Sequence, residues 1–429
     1  MLKLGLVSDL AETGFGRVGR ELGKRWLDAG HDLRVIGINF GGREGAVRNA
    51  LAKGEDGDGI KAAFESVAMD PVLSRAVPAG IEGDGMGHNL TRAFIDGELA
   101  PGWKPDRVVF IADPVASLQR QATDGGALGA VPSFNYVPIE GSDLSVFWRA
   151  IWEKVTPVAM SRFGQREISK VLGRDDVPYI PHGISDAFYR ISPEHPAWTS
   201  DDEMVTSKEA AKADFGWQDR TVILRADRFV DRKGYPEYFE VIRRIIAERP
   251  EVLFVIHCAV VDEGGMMSQL LADLPGAYRD AKGWHHSQVV LTRAHDTFKG
   301  MSDSRLNLLY NAADIYASTS YAEGFGLTLA EAAACGVPVV ANDFAAIPEA
   351  VGLGGLLVEP AEIIPTSHGH HWAAVDIDDF TDTLMELIDE PSWRLDLGAK
   401  GEAHVARFDW DKAALDFLNL MEDNPRWQR

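Results

Sequence analysis

Two glutamates, Glu323 and Glu331, stand eight positions apart in the run Tyr321-Ala322-Glu323-Gly324-Phe325-Gly326-Leu327-Thr328-Leu329-Ala330-Glu331. Between them, Gly324 and Gly326 let the chain turn tightly with its amides exposed, and a helix is expected to begin near Thr328. Helix N-terminal N–H groups and the positive end of the helix dipole then meet at the turn, so Gly324, Phe325, Gly326 and Leu327 read as an anion site. Glu331, in the first turn, can reach a hydroxyl beside the bound anion. Glu323, ahead of the turn, can hold a second polyol. Thr328-x-x-Glu331 also has the spacing of a capping box, which would tie Glu331 to the helix start without any ligand.

A second cluster lies upstream, where Ala226-Asp227-Arg228-Phe229 is followed by Lys233-Gly234. Arg225, Arg228, Arg232 and Lys233 against Asp227 and Asp231 leave a local excess of 4 − 2 = +2. Cations grouped after a strand suit the negative charge of a diphosphate. Near the N-terminus, Gly14-Phe15-Gly16-Arg17-Val18-Gly19 is a literal G-x-G-x-x-G between a strand and a helix. That pattern raises an NAD-dependent oxidoreductase, but the second strand ends Gly37-Ile38-Asn39-Phe40 without the acid that would hold a ribose. The same glycines also serve close helix–sheet packing with no ligand.

These groups need a scaffold, and the apolar pattern supplies one. Leu4–Val7, Leu33–Ile38, Val108–Ala112 and Val158–Ser161 read as strands, with helical spacing at Leu22, Trp26 and Leu27 and over Phe163–Leu172. A second series starts at Thr221: strands Val222–Ala226, Val252–His257, Val289–Thr292, Ile315–Ser318 and Val337–Ala341, with helices at Tyr238–Glu248, Arg305–Ala313 and Leu329–Ala334. Alternation of this kind predicts parallel sheets covered by helices on both faces. The expected organisation is a Rossmann-like domain over 1–190, a linker or surface excursion over 191–218, a second Rossmann-like domain over 219–408, and a helix within 409–429 packing back on the first domain.

The chain has 429 residues, 43 Lys+Arg and 65 Asp+Glu, for a formal charge of −22. That disfavours extended nucleic-acid binding, which relies on many cations against phosphates. No run reaches the ~18 apolar residues of a membrane span, and two cysteines, Cys258 and Cys335, make no disulfide framework. A cytoplasmic protein is expected.

Taken in order, these motifs resemble a known family. Glu323-x7-Glu331 in a Glu-Gly-Phe-Gly-Leu context followed by Ala-Cys-Gly-Val-Pro-Val-Val, the Arg228…Lys233-Gly234 motif, and Tyr179-Ile180-Pro181-His182-Gly183 are similar to the GT-B glycosyltransferases, specifically the retaining family 4 group. The resemblance implies an α/β GT-B fold, two doubly wound parallel-sheet domains facing a central cleft. It implies a hexosyl- or pentosyltransferase that moves a sugar from a nucleotide-diphosphate donor, such as a UDP- or GDP-sugar, with retention of configuration. Side-chain cations take the place of a metal, and no further cofactor is implied.

Under that resemblance Arg228 and Lys233 stabilise the departing diphosphate, helped by the amides of Gly324, Phe325, Gly326 and Leu327. Glu331 binds the ribose, Glu323 faces the donor sugar, Gly14 and Gly16 approach the diphosphate, and Thr292 and Arg293 meet the base. The acceptor is left open among glycan, lipid, protein and modified nucleic-acid base, and a non-catalytic sugar-nucleotide or glycan-binding module is a further alternative.

The pattern departs from the family at some positions. Where many members carry a histidine, this chain has Phe110-Ile111-Ala112-Asp113-Pro114. Asp113 either takes that catalytic place or caps the following helix. Tyr136-x-Pro138-Ile139-Glu140-Gly141 is a polar strand end suited to an acceptor, and His182 is expected to be a hydrogen-bonded turn histidine. His368-Gly369-His370-His371 lacks a fixed fourth ligand for zinc, so no metal site is expected.

Overall fold

The computed structural model describes residues 1–10, 14–38, 61, 67, 69–78, 88–98, 102–113, 130–200, 202–281, 283–292 and 301–423. The chain divides into two compact units. One comprises Met1–Ile139, Leu144–His182 and Trp410–Arg429; the other comprises Glu140–Asp143 and Gly183–Asp409.

The described strands of the first unit are β1 (Lys3–Asp9), β2 (Asp32–Ile38), β3 (Ala76–Pro78), β4 (Arg107–Ile111), β5 (Ser133–Val137) and β6 (Thr156–Ala159). They form a parallel sheet in the order β3-β2-β1-β4-β5-β6. β4 is apolar and buried beyond Arg107, as covered parallel strands are, and β5 is buried throughout, including its polar Ser133 and Asn135. Helices α1 (Gly14–Asp28), α2 (His88–Asp96), α3 (Arg149–Trp152) and α4 (Arg162–Leu172) belong to the same unit.

α1 shows how the sequence selects its face. Val18, Leu22 and Trp26 recur every four residues and are buried. All three glycines of the G-x-G-x-x-G run lie within this helix rather than in a loop before it. A Cβ at Gly19 would sit 2.5 Å from Ser8 Oγ, so Gly19 lets α1 press against the end of β1.

The second unit begins with a two-stranded ribbon, β7 (Ala197–Trp198) and β8 (Met204–Val205), and helix α5 (Lys208–Phe215). The stretch 191–218 therefore carries its own structure. Then follow β9 (Thr221–Ala226), α6 (Tyr235–Glu248), β10 (Val252–His257), the ribbon β11 (Val261–Asp262) and β12 (Gly265–Met266), and α7 (Met267–Ala272). A further ribbon, β13 (Tyr278–Asp280) and β14 (Gly283–His285), precedes β15 (Val289–Leu291), α8 (Asp303–Asn311), β16 (Ile315–Ser318), α9 (Leu327–Ala334) and β17 (Val339–Asn342). The unit closes with α10 (Ile347–Val351), β18 (Gly355–Val358), the antiparallel pair β19 (Pro360–Pro365) and β20 (His371–Val375), α11 (Ile377–Asp389) and α12 (Pro391–Val405).

The main sheet runs β15-β10-β9-β16-β17-β18, all parallel. Both six-stranded sheets thus have the doubly wound order 3-2-1-4-5-6, which reverses at the first and fourth strands and leaves a crevice at their carboxyl ends. In the second unit that crevice lies beyond β9 and β16.

The last described helix, α13 (Trp410–Asp423), packs within the first unit. Trp26 meets Phe417 edge to face at 5.9 Å and donates its indole N–H to Ala414 O, and Phe417 also meets Tyr136 at 4.8 Å. Arg25 pairs with Asp411 at 2.5 Å.

Candidate functional site

A chain of ion pairs fills the crevice beyond β9 and β16. At its buried end Arg225, the fifth residue of β9, is fully inaccessible to solvent. Its guanidinium lies 4.0 Å from the Tyr235 ring centre and 4.7 Å from that of Tyr238, both on α6. It donates to Thr319 Oγ1 at 2.9 Å and to the backbone oxygen of Lys233, and contacts Asp227 at 3.4 Å.

Asp227 in turn accepts from Lys233 Nζ at 2.7 Å, Ser318 Oγ at 3.3 Å and Thr328 Oγ1 at 3.3 Å. Lys233 Nζ donates equally to Glu323 Oε1 at 2.6 Å. Glu323 Oε2 meets Arg232 Nη1 at 3.0 Å, and Arg232 Nη2 reaches Glu140 Oε1 at 2.8 Å. Burial alone would raise the Glu323 carboxyl. The charges of Arg232 and Lys233, with hydrogen bonds from Lys233 and Ser320, instead hold it down to about 2.

Local backbone geometry delivers these side chains. Asp231–Lys233 form one 3-10 turn that ends at Gly234, whose φ is 58°. A Cβ at Gly234 would lie 2.4 Å from Thr319 O, so only glycine lets this turn rest on the end of β16. On the other side, Gly326 caps α9 with φ 92°, and α9 starts at Leu327. Thr328 is therefore inside the helix, and its hydroxyl bonds Asp227. The capping-box reading is corrected accordingly: Glu331 is buried and accepts from Tyr310 OH at 2.9 Å. The turn Gly324–Leu327, expected from the sequence to hold an anion, adjoins the ionic chain, since Thr328 in the first turn of α9 touches Asp227.

Other expected site residues fall elsewhere. Arg228 faces the β11–β12 ribbon and pairs with Asp262 at 2.8 Å and Glu263 at 3.0 Å. Thr292 Oγ1 lies 2.6 Å from His257 Nδ1, where β15 and β10 end side by side, and burial pushes His257 down to about 4. Arg293 lies outside the described residues. Gly14, Gly16 and Asp113 belong to the first unit.

His182 is buried against Tyr136, 2.8 Å from hydroxyl to Nδ1, and burial lowers it to about 3, as a structural turn histidine requires. His371 bonds Asp143, and among the described residues no three or more His, Cys, Asp or Glu are grouped to hold a metal. Asp376 caps α11, accepting from the amides of Asp378 and Asp379.

The +2 excess counted along Arg225–Lys233 does not survive folding. Arg225, Lys233 and Arg232 are matched by Asp227, Glu323 and Glu140, while Arg228 is matched by Asp262 and Glu263. Sequence reasoning missed the roles of Arg232 and Glu140. The available signal was that Arg232 adjoins Lys233 in a turn too short to send them far apart.

Residues 207–404 match the family described as "Glycosyl transferases group 1". This segment is similar to the group 1 glycosyltransferases, and the chain is an enzyme of that transferase type. The ionic chain from Arg225 to Glu323 lies inside the matched segment. Over 357 residues the glycosyltransferase is 28% identical to a Corynebacterium glutamicum protein named GDP-mannose-dependent monoacylated alpha-(1-6)-phosphatidylinositol monomannoside mannosyltransferase, covering 78% of this chain and 81% of that one. It is 32% identical to D-inositol 3-phosphate glycosyltransferase 2 of Catenulispora acidiphila over 228 residues, 52% of this chain and 48% of that one.

Among solved structures, Anabaena HepE in complex with UDP-glucose superimposes with a TM-score of 0.65 at 16% identity, covering 98% of this chain and all of the other. Sucrose-phosphate synthase from Thermosynechococcus elongatus gives 0.62 at 17% identity, covering 98% of each. The glycosyltransferase has the GT-B fold and is an enzyme of the transferase type. Among the described residues no helix is long and apolar enough to cross a membrane.

Proposed function

We propose that this glycosyltransferase moves a sugar from a nucleotide-diphosphate donor to an acceptor hydroxyl with retention of configuration, as family 4 members do, and without a metal. The observation that carries this reading is Lys233 Nζ, held between Asp227 and Glu323 at the switch point of the second sheet, beside the start of α9. As the glycosidic bond breaks, negative charge grows on the bridging phosphate oxygen. A fixed ammonium and a helix N-terminus in a largely buried setting stabilise that charge without reorganising.

In this reading Lys233 and the amides of Gly324–Leu327 bind the diphosphate, and Glu323 faces the sugar. Glu331, oriented by Tyr310, accepts the ribose hydroxyls. Thr292 and Arg293 meet the base. Arg228 joins the phosphates after exchanging Asp262 and Glu263 for them. The departing phosphate receives the acceptor's proton. Gly14 and Gly16 approach the diphosphate by family resemblance, and Asp113 stands where many members carry a histidine. The names of relatives, one GDP-mannose-dependent and several D-inositol 3-phosphate glycosyltransferases, and the UDP-glucose complex of a neighbour in fold support a nucleotide-sugar donor and an inositol-bearing acceptor as first choices.

The test is thermal-shift screening of UDP- and GDP-sugars with NAD as a control, followed by mass spectrometry of acceptors incubated with the stabilising donor. Stabilisation by a nucleotide sugar and a product heavier by one sugar support the reading. Stabilisation by NAD alone overturns it. Activity that persists in chelator supports metal independence, and abolition by chelator refutes it.

A further inference from the structure

Lys233 is already paired by Asp227, so a second cation on Glu323 calls for a reason of its own. Arg232 is that cation, and it is not a loose surface arginine. Its Nη1 donates to Ala322 O at 2.6 Å, its own carbonyl accepts from Tyr321 N at 2.8 Å, and its side chain is only 17% exposed. The two bonds knit the Asp231–Lys233 turn to the strand end that leads into Glu323. Each carboxylate oxygen of Glu323 then has its own cation: Oε1 faces Lys233 and Oε2 faces Arg232.

The far arm of the guanidinium is engaged as well. Segment 140–143 lies along β20, with Ser142 N to His371 O at 3.0 Å and His371 N to Ser142 O at 2.8 Å. A Cβ on Gly141 would come within 2.4 Å of the His370 ring and 2.5 Å of His371 O, so glycine is what allows the approach. This seats Glu140 on Arg232 Nη2 at 2.8 Å.

We propose that Arg232 is a positioning residue for the reaction: clamped between Glu140 and Glu323, it keeps the Glu323 carboxylate ionised and aimed toward the donor sugar. The proposal rests on the reading of Glu323 as the carboxylate that faces the donor. A buried ion pair seldom stabilises a fold more than apolar packing would, so a guanidinium shared by two carboxylates is better explained by what it does to Glu323. The groups around Glu323 are Arg232 and Lys233 from the turn, Ser320 after β16, and Asp227 through Lys233. Around Arg232 stand Glu140, Glu323, Asp227 and His370, the last pushed down to about 4 chiefly by burial. Without Arg232, only Lys233 and the Ser320 hydrogen bond offset the burial that raises the Glu323 carboxyl.

The experiment titrates Glu323 directly by carboxyl 13C NMR on ligand-free protein, with the resonance assigned by its loss in Glu323→Gln. Arg232→Gln is expected to move the Glu323 midpoint up by about 1–3 pH units, the usual effect of an adjacent opposite charge. Arg232→Lys should restore most of the shift, and Glu140→Gln should leave the midpoint at or below that of the native protein. With the donor identified by thermal shift, the acid limb of kcat should move up in parallel in Arg232→Gln while KM for the donor changes little. A folded Arg232→Gln protein whose Glu323 midpoint does not move overturns the proposal. A native protein that transfers sugar from no nucleotide-sugar donor overturns the proposed function instead, and the NMR titration still decides the role of Arg232.

Discussion

Lys233 has one ammonium and two carboxylates on it, and that arrangement sets the outcome of removing it. Lys233→Ala leaves Asp227 and Glu323 buried and facing each other. Loss of one partner from a buried pair costs about 3–5 kcal/mol, and loss of one preorganised group that stabilises transition-state charge lowers turnover about 10²–10³-fold. Urea unfolding and steady-state kinetics on the same preparation check both numbers, and wild-type values in both would remove Lys233 from the site.

His182 makes a different prediction. Burial holds its folded pKa near 3, against 6.5 for an ordinary histidine, so it is neutral in the fold. As pH falls below the ordinary value the unfolded chain takes up a proton that the folded chain refuses. Stability should drop by up to about 1.4 kcal/mol per pH unit in that window. Unfolding curves between about pH 4 and pH 7 should slope in the native protein and slope less in His182→Asn, with the likewise lowered His257 and His370 contributing to the remainder. At this scale Lys233 and Glu323, which pair in the fold, were singled out as cation and carboxylate by type and spacing. Arg232 and Glu140 were not, because their meaning depends on partners far away in the chain. The same distance hid the pairing of Arg228 with Asp262, which no local charge count could anticipate.

Among the elements, two glycines with left-handed backbone offer a controlled comparison. Gly216 ends α5 at φ 74° with nothing within 4 Å of where a Cβ would stand, whereas Gly234, at φ 58°, is blocked by Thr319 O. Gly216→Ala should cost about 1 kcal/mol from conformation alone. Gly234→Ala should cost more, about 1–3 kcal/mol of strain plus the displacement of β16, and should lower turnover because Lys233 precedes it. Urea midpoints for the pair separate conformation from crowding, and equal losses would show that the contact with Thr319 is immaterial. Nine of the twelve described main-sheet strands were legible because covered parallel strands are continuous apolar runs, such as Val252–His257, whereas β3, β5 and β18 are short or carry polar residues and were not. The ribbons β7–β8, β11–β12 and β13–β14 and helix α5 were not. They are short and largely polar, so their pattern does not separate them from loops. The spacing of the glycine run at Gly14 matches a phosphate-binding loop, but packing against Ser8 places the run in α1.

For the whole molecule, a charge of −22 sits around an ionic chain in which cations and carboxylates balance. The proposed donor, an anionic nucleotide sugar, is therefore expected to be repelled at long range. Added salt screens the long-range repulsion over a Debye length of about 10 Å at 0.1 M. The association rate of a nucleotide sugar, followed by stopped-flow fluorescence, should rise as salt increases from low to physiological strength. A steep fall would point to an uncompensated basic surface. The two-sheet organisation was legible from the alternation of strands and helices. The cancellation of charge within the crevice was not, since Glu140, Asp262, Glu263 and Glu323 come from separate places in the sequence.

The packing of α13 within the first unit bears on how the protein is made. Trp26 and Tyr136, among the first third of the chain, are covered by Phe417 and Ala414 near its end. On the ribosome the first sheet emerges early but keeps that apolar surface open until residues near 417 have been synthesised, after the whole second unit. The order of synthesis and the order of completion are thus reversed: the unit begun first is finished last.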